Sequence, residues 1–206
     1  MSKEIIFTED ELDCLSEIIN ISYGVSTAVI SDMLNSFATL KVPKIKIISS
    51  SLLKPHLFNI VDTNEEQFVA TQHLIGDISG ENLFLINKTS AINISREFEK
   101  NDDDTYTDDM IFDILLEVIN ILSSMALREL SKSLNLTVSV EPPSIEKINS
   151  ITNFGNHFIE EYQQIIVISS NLEFKDQKIE AIFMLLTKDE SIKLIQNSIK
   201  NILDEL

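Results

Sequence analysis

The chain repeats one arrangement of polar residues inside two long apolar segments that lie 100 positions apart. The stretches SEIIN and LEVIN each place a glutamate three residues before an asparagine, Glu17 with Asn20 and Glu117 with Asn120. A chain of 206 residues that repeats itself in this way folds most simply as two similar halves packed on each other. The repeat therefore favours a fold with internal twofold symmetry.

The first half predicts a long helix, three strands and a shorter helix. The first helix starts at FTEDEL, where Thr8 with Glu11 offers a capping box and Phe7 with Leu12 a hydrophobic staple. It extends to about residue 35, a length of roughly 40 Å. Alternating β-branched residues predict strands in KIKIISSSLL, QFVATQHLI and NLFLINK, and the segment SAINISREFEK predicts the closing helix.

The second half predicts the same order. A long helix covers about 108–135, and strands follow in LTVSVEPPSIEKI, QQIIVISS and IEAIFMLL. The last helix begins at TKDESIKLI, where Thr187 and Glu190 offer a second capping box. The expected fold class is α+β, an internally duplicated unit of helix, three strands and helix with pseudo-twofold symmetry. Two long helices pack on an antiparallel β-sheet in this fold.

The offset of 100 residues also sets the expected domain organisation. We expect one domain over 1–206, with internal repeats of about 8–99 and 108–204 joined by an acidic connector at 100–107. Each half alone would expose the apolar face of its sheet, so the strands are expected to join in one sheet or in two closely packed sheets. The matches expected from the offset are Leu85 with Leu185, Lys88 with Lys188 and Ile92 with Ile192.

Charge and composition argue against several classes of partner. The formal charge of −17, from 33 acidic and 16 basic side chains, repels nucleic acid and anionic lipid and favours a protein partner. No unbroken apolar run approaches the ~18 residues of a membrane span, and the start MSKEIIFTED lacks the apolar core of a signal peptide. The single cysteine, Cys14, suits a reducing compartment. We expect a cytoplasmic protein without a metal site, since the histidines are scattered and Asp13 with Glu17 supplies too few ligands.

A longer spacing is shared by both halves. Asp13 and Glu17 precede Asn20, and 22 residues separate Asn20 from Pro43; the second half repeats this spacing from Asp113 to Pro143. Four fixed positions arise by chance about once in 10⁵ windows. On a helix with 100° per residue the polar residues share one outward face, with a small residue one turn later. The two polar faces are Asp13, Glu17, Asn20 and Gly24 in the first helix, and Asp113, Glu117, Asn120 and Ser124 in the second. A solvated helix face is the ordinary explanation for such residues, and the shared spacing favours a functional one.

These two motifs resemble the signature of the CheC-type chemotaxis phosphatases, a family related to CheX and FliY. The resemblance covers essentially the whole chain, because the family carries two such motifs on two long helices of an α+β fold. CheX has one active motif per chain. FliY carries added flagellar-switch segments for which 206 residues leave no room, so the CheC type fits best.

The resemblance implies hydrolysis of the aspartyl phosphate on a CheY-type response regulator. In the family an asparagine orients the attacking water and a glutamate pairs with the regulator's lysine. These roles fall here on Asn20 and Asn120, and on Glu17 and Glu117. Mg²⁺ is carried by the phosphorylated regulator, and the phosphatase has no cofactor of its own. The resemblance assigns docking to Asp13, Asp113, Gly24 and Ser124, and framing of the site to Pro43 and Pro143.

One departure from the family pattern and two other functions stay open. The family commonly has Glu-x-Gly-Asn, whereas this chain has Ile19 and Ile119, whose branched side chains are expected to narrow the regulator's approach. The chain could instead be a non-catalytic adaptor that binds the regulator or the receptor deamidase CheD, or a structural module related to the flagellar switch. Two internal halves favour a monomer. The sequence leaves open which regulator is the substrate and how the two sites compare in activity.

Overall fold

The structure, a computed structural model, describes residues 5–34, 37–61, 65–99, 105–150, 163–174 and 176–205. Most of the connector expected at 100–107 therefore lies outside the described residues. The helices are α1 (Glu9–Met33), α2 (Leu53–Phe58), α3 (Lys88–Phe98), α4 (Asp108–Leu134) and α5 (Asp189–Asp204). The strands are β1 (Thr39–Leu40), β2 (Lys44–Ser49), β3 (Gln67–Gly76), β4 (Gly80–Asn87), β5 (Val138–Val140), β6 (Ser144–Ile148), β7 (Gln164–Phe174) and β8 (Ile179–Thr187).

All of these strands join in one antiparallel sheet, as the apolar faces of the two halves require. The order is β1-β7-β8-β4-β3-β5, with β2 also pairing with β7 and β6 with β3. Strands β1 and β2 of the first half thus extend the hairpin of the second half, and β5 and β6 extend the hairpin of the first. Because each half completes the sheet of the other, the halves form one interlocked unit.

The pseudo-twofold axis passes between β4 and β8, at the pair Leu83 and Met184. Around this pair Leu85 corresponds to Leu186 and not to Leu185, because Leu85 and Leu186 lie on one face of the sheet and Leu185 lies on the other. The expected offset of 100 is therefore wrong by one in this region. The same shift corrects the other two expected matches, Lys88 with Lys188 and Ile92 with Ile192, since the N-caps of α3 and α5 are Asn87 and Lys188.

Four helices cover one face of the sheet. Helices α1, α3, α4 and α5 bury the larger core, which is built around Phe68, Phe84 and Phe183. Helix α2 packs with a smaller cluster on the opposite face, which includes Leu57 and Val69. Among the helix pairs, α1 and α4 make the most extensive contact, so the two long helices lie side by side.

Two strands and one cap differ from the sequence-based expectations. The strand expected in KIKIISSSLL ends at Ser49 and continues as a 3₁₀ turn (Ser50–Leu52) and then α2. The strand expected in LTVSVEPPSIEKI is split into β5 and β6, because Pro142 and Pro143 have no N–H for the ladder. The second capping box is wrong, since Thr187 is the buried last residue of β8 and α5 starts after Lys188.

The first capping box is present and also ties α5 to α1. The Thr8 Oγ1 accepts from the Glu11 N–H at 3.2 Å, and the Thr8 N–H donates to the Glu11 Oε2 at 2.9 Å. The same Oε2 accepts from Gln196 of α5 at 2.9 Å. Burial raises the pKa of the Glu11 carboxyl, but these hydrogen bonds and the charge of Lys200 outweigh burial and leave the pKa below its usual value.

The lowered pKa of Glu11 makes part of the fold's stability depend on pH. The ionised carboxylate stabilises the fold fully above the unfolded-state pKa of about 4.3, and this stabilisation is lost as pH falls through the lower folded-state pKa. We expect the free energy of unfolding to fall less between pH 6 and pH 3 in Glu11→Gln than in the wild type, measured by urea unfolding. Glu9→Gln, at an exposed carboxylate in the same turn, serves as the control. Equal pH dependence of the two variants would contradict the assignment.

The two long helices also pass as membrane spans by length and composition alone, although charged and polar residues interrupt their apolar runs. In the fold, 44% of the apolar window in Glu9–Met33 and 50% of the window in Asp108–Leu134 are buried. Both helices pack on the sheet and on each other. This burial matches the core helices of a globular domain.

Candidate functional site

The polar face predicted for α1 lies on the surface of the molecule. The side chains of Asp13, Glu17 and Asn20 are exposed, and Gly24 follows one turn later. A Cβ added at Gly24 would meet no atom within 4 Å, so open space lies over this position. The opposite face of α1 is held in the core by residues that include Leu15, which is why the polar face points outward.

Helix α4 presents the same arrangement. Asp113, Glu117, Asn120 and Ser124 are all exposed, whereas Leu115 on the opposite face is buried in the core. Because α1 and α4 pack side by side on one face of the sheet, both polar faces lie on the same side of the molecule. Each motif comes from a single helix, so its internal spacing is fixed by helix geometry.

The polar face of α1 does not continue beyond Gly24 to Thr27, the next residue along the same line of the helix. Thr27 is buried, and its hydroxyl donates to the Tyr23 carbonyl oxygen at 2.7 Å. Leu127 is buried at the corresponding position of α4. The exposed motifs thus end at Gly24 and Ser124.

The isoleucines that replace the family's glycine do not narrow the site. Ile19 and Ile119 are both fully buried, on the core side of their helices. A side chain there cannot meet a protein that approaches from outside. The expectation that these residues obstruct the regulator is therefore wrong, and their role is packing.

Both motif prolines stand directly before a strand. Pro43 precedes β2 and Pro143 precedes β6. Pro43 also lines a cavity of about 420 Å³ next to Asn20, together with Phe37 and Lys41. The first motif therefore borders an open cleft between α1 and the segment that leads into β2.

The second motif has a neighbour that its sequence pattern did not reveal. Gln72 of β3 is fully buried, and its Nε2 donates to the Asn120 Oδ1 at 3.2 Å and to the Glu141 carbonyl oxygen at 2.9 Å. One signal could have indicated it, because Gln72 stands at an inward position of its strand, between Ala70 and Leu74 of the core.

The position that corresponds to Gln72 in the other half is Ser170 of β7. The pairing shows this, because Leu74 pairs with Val140 while Leu172 pairs with Leu40, so the residues two positions earlier also correspond. The Ser170 hydroxyl donates to the Lys41 carbonyl oxygen, as Gln72 does to Glu141. No hydrogen bond to the Asn20 side chain is found within the described part of the chain.

The layer beneath the two motifs also differs in polarity. Tyr23 of α1 packs against Phe183, with ring centroids 5.2 Å apart. The corresponding pair beneath α4 is polar, with the Asn82 Nδ2 donating to the Ser123 Oγ at 2.8 Å. Burial raises the pKa of the Tyr23 phenol, so it stays neutral. The two sites have the same exposed Asp, Glu and Asn residues but different buried residues beneath them.

The exposed groups can position a water molecule and pair with a cation. The amide of asparagine both donates and accepts hydrogen bonds and does not titrate near neutral pH. A glutamate one turn away offers a carboxylate to an ammonium group. Within the described ranges, no group of three or more His, Cys, Asp or Glu side chains is placed to hold a metal ion.

Comparisons with known proteins find similar chains among flagellar and chemotaxis proteins. No family model matches the chain. The flagellar motor switch phosphatase FliY of Bacillus subtilis is 25% identical over a 199-residue alignment that covers 93% of this chain and 50% of that protein. The chain thus spans about half the length of the curated relative that it matches.

Solved structures share the fold at lower identity. FliY of Thermotoga maritima matches with a TM-score of 0.74 at 19% identity, over 96% of this chain and 99% of that one. CheX of Desulfovibrio desulfuricans matches with a TM-score of 0.54 at 18% identity, over 82% and 97%. The FliM middle domain of Vibrio alginolyticus gives a TM-score of 0.63 at 12% identity, over 90% and 99%.

The resemblance stated from the sequence is confirmed, because the chain is similar to FliY both in sequence and in fold. The relative with a curated name is a FliY, and a FliY structure is matched almost end to end. The length of the chain therefore does not distinguish a CheC-type protein from the matching part of a FliY. The preference for the CheC type, which rested on length, is not supported.

Proposed function

We propose that this protein is a phosphatase that hydrolyses the aspartyl phosphate of a CheY-type response regulator. The observation that carries the proposal is the exposure of two Glu/Asn pairs on neighbouring helices, with the spacing of the CheC-type motif in both halves. The name of the FliY relative, a flagellar motor switch phosphatase, supports the same activity.

Hydrolysis of an aspartyl phosphate requires few catalytic groups from the phosphatase. An acyl phosphate is already activated, so the protein needs only to hold a water molecule in line with the phosphorus. The exposed amides of Asn20 and Asn120 project from rigid helices and can enter a regulator's site to orient that water. An amide in this role adds no negative charge next to the phosphoryl group.

The glutamates act in docking. Glu17 and Glu117 lie one turn before the asparagines and are exposed, so each can pair with the lysine beside the regulator's phosphoryl group. Asp13 and Asp113, one turn further, extend the acidic face toward the regulator. Mg²⁺ would come with the phosphorylated regulator, where it neutralises charge on the phosphoryl oxygens.

The proposal is tested with a radiolabelled, Mg²⁺-bound CheY-type regulator. We expect this protein to accelerate the loss of phosphate by about tenfold or more over the regulator alone, because an ordered water replaces a diffusing one. A regulator whose phosphoryl-site lysine is replaced by alanine is the control and should respond less. Phosphate loss at the regulator's own rate would overturn the proposal.

A second candidate is a module that docks without hydrolysis. The match to the FliM middle domain supports it, since the same architecture occurs in a flagellar switch protein. Such a module would bind the regulator, or CheD, without accelerating phosphate loss. Binding measured by titration calorimetry in parallel with the hydrolysis assay separates the two functions.

The remaining assignments belong to the same proposal. We propose a cytoplasmic location, in agreement with the chemotaxis and flagellar proteins among the relatives. A monomer is proposed because the two halves interlock within one chain and present both motifs. A net charge of −17 agrees with a protein partner and disfavours nucleic acid and anionic membranes.

A further inference from the structure

We infer that Gln72 is a positioning residue for Asn120, so that the second site is preorganised while the first is not; this inference rests on the proposed phosphatase function. Gln72 belongs to the first half of the chain, whereas Asn120 belongs to the second. The contact therefore links the two halves, as do the pairings of β5 and β6 of the second half with β3 of the first half.

The hydrogen bonds of Gln72 fix which way both amides point. The Glu141 carbonyl oxygen can only accept, so Gln72 must present its Nε2 to it, at 2.9 Å. The same Nε2 then donates to Asn120 at 3.2 Å, so Asn120 must present its Oδ1. This orientation directs the Asn120 Nδ2 away from Gln72 and leaves one lone pair of Oδ1 for a water hydrogen.

A glutamine at position 72 is energetically unfavourable unless its amide has a further role. The residue is fully buried, and its Oε1 is buried without a hydrogen-bond partner among the described residues. A buried amide oxygen without a partner is unfavourable, and a serine in its place would not carry this oxygen. Holding the strand carbonyl does not require a glutamine, because Ser170 holds the Lys41 carbonyl at the corresponding place.

The first site lacks this support. Ser170 ends at its hydroxyl, which bonds the Lys41 carbonyl oxygen. Asn20 instead borders the cavity of about 420 Å³ and has no hydrogen bond to the described side chains. Asn20 must therefore lose side-chain conformational entropy when it orients a water. Asn120 has already lost this entropy in the folded protein.

The test isolates each site by removing the asparagine of the other. In an Asn20→Ala background, Gln72→Met removes the donor while keeping a side chain of similar length. We expect kcat for phosphate loss from the radiolabelled, Mg²⁺-bound regulator to fall about three- to tenfold, the range for freeing one side chain, with KM little changed. Ser170→Ala in the same background is the matched control and should leave kcat unchanged.

A double-mutant cycle distinguishes positioning from damage to the fold. Gln72→Met should lower kcat when Asn120 is the active amide and have no such effect when Asn120→Ala leaves Asn20 alone. An equal fall in both backgrounds would show a structural role and overturn the inference, as would an unchanged kcat in the first. The proposed function fails separately, since it requires the Asn20→Ala and Asn120→Ala parents themselves to accelerate phosphate loss.

A spectroscopic readout needs no enzyme assay. The side-chain amide of Asn120 should give a high NMR order parameter in the free protein, and Gln72→Met should lower it toward the value of Asn20. Equal order parameters for Asn20 and Asn120 in the wild type would contradict the inference even if both sites are active.

Discussion

Replacing both Asn20 and Asn120 by alanine is expected to reduce phosphate loss from a CheY-type regulator to the regulator's own rate, at least a tenfold fall from the wild type. In the proposed reaction the regulator supplies the activated phosphate and its Mg²⁺, so water orientation is what this protein would add. Without an amide on either helix no group remains in place to hold the water. The measurement is the decay of radiolabelled regulator with the wild type, each single variant and the double variant.

The double variant should fold and dock normally. Both asparagines are exposed, and alanine has a higher helix propensity, so α1 and α4 are not weakened. Glu17 and Glu117 stay in place to pair with the regulator's lysine. We therefore expect the Kd for the phosphorylated regulator to change by less than about threefold, within the weak effect of one exposed contact.

Controls and single variants make the result specific. Asn201→Ala, at an exposed asparagine of α5 far along the chain from both motifs, should leave the rate unchanged. Each single variant should retain activity, because each helix carries a whole motif. A double variant that still accelerates phosphate loss would exclude water orientation by these amides, and one that no longer binds would assign them to docking.

The sequence predicted the two long helices and their polar faces well, and the reason is local. Capping residues and a 3.6-residue period are properties of neighbouring residues, so Thr8, Glu11 and the spacing from Asp13 to Asn20 could be interpreted without tertiary structure. The same reasoning failed at Thr187, which is the last residue of the buried strand β8 and not the N-cap of α5.

Features that depend on pairing between the halves could not be predicted in this way. The exchange of β2 and β6 between the two hairpins is decided by which strands bury their faces together. Because of one-residue shifts in the hairpins, the residue that corresponds to Leu85 in the second half is Leu186 and not Leu185. The inward position of Gln72 is visible in the sequence, but its partner Asn120 belongs to the other half and is identified only by the fold.

The isoleucine before each asparagine shows how a family pattern can mislead when burial is unknown. In the linear motif Ile19 stands beside Asn20, and the family's glycine there suggested a need for space. One step along a helix turns a side chain by about 100°, which places Ile19 in the core while Asn20 stays exposed. In the proposed docking, space for the regulator would therefore depend on the exposed Gly24 and Ser124, one turn later.

Restoring the family's glycine at Ile19 is expected to cost stability and to bring no gain in activity. Ile19 is 0% exposed, so Ile19→Gly removes a fully buried side chain and adds a glycine inside α1. Large-to-small core changes cost about 2–5 kcal/mol, and glycine in a helix costs about 1 kcal/mol more relative to alanine. The free energy of unfolding, measured in urea, should therefore fall by about 3–6 kcal/mol.

The same helix offers a matched control. Ile21 is 54% exposed, so Ile21→Gly loses mainly helix propensity, about 0.5–1 kcal/mol. Similar losses in the two variants would contradict the burial of Ile19. A rise in kcat/KM in Ile19→Gly at conditions where the fold is intact would show that the regulator does reach this position.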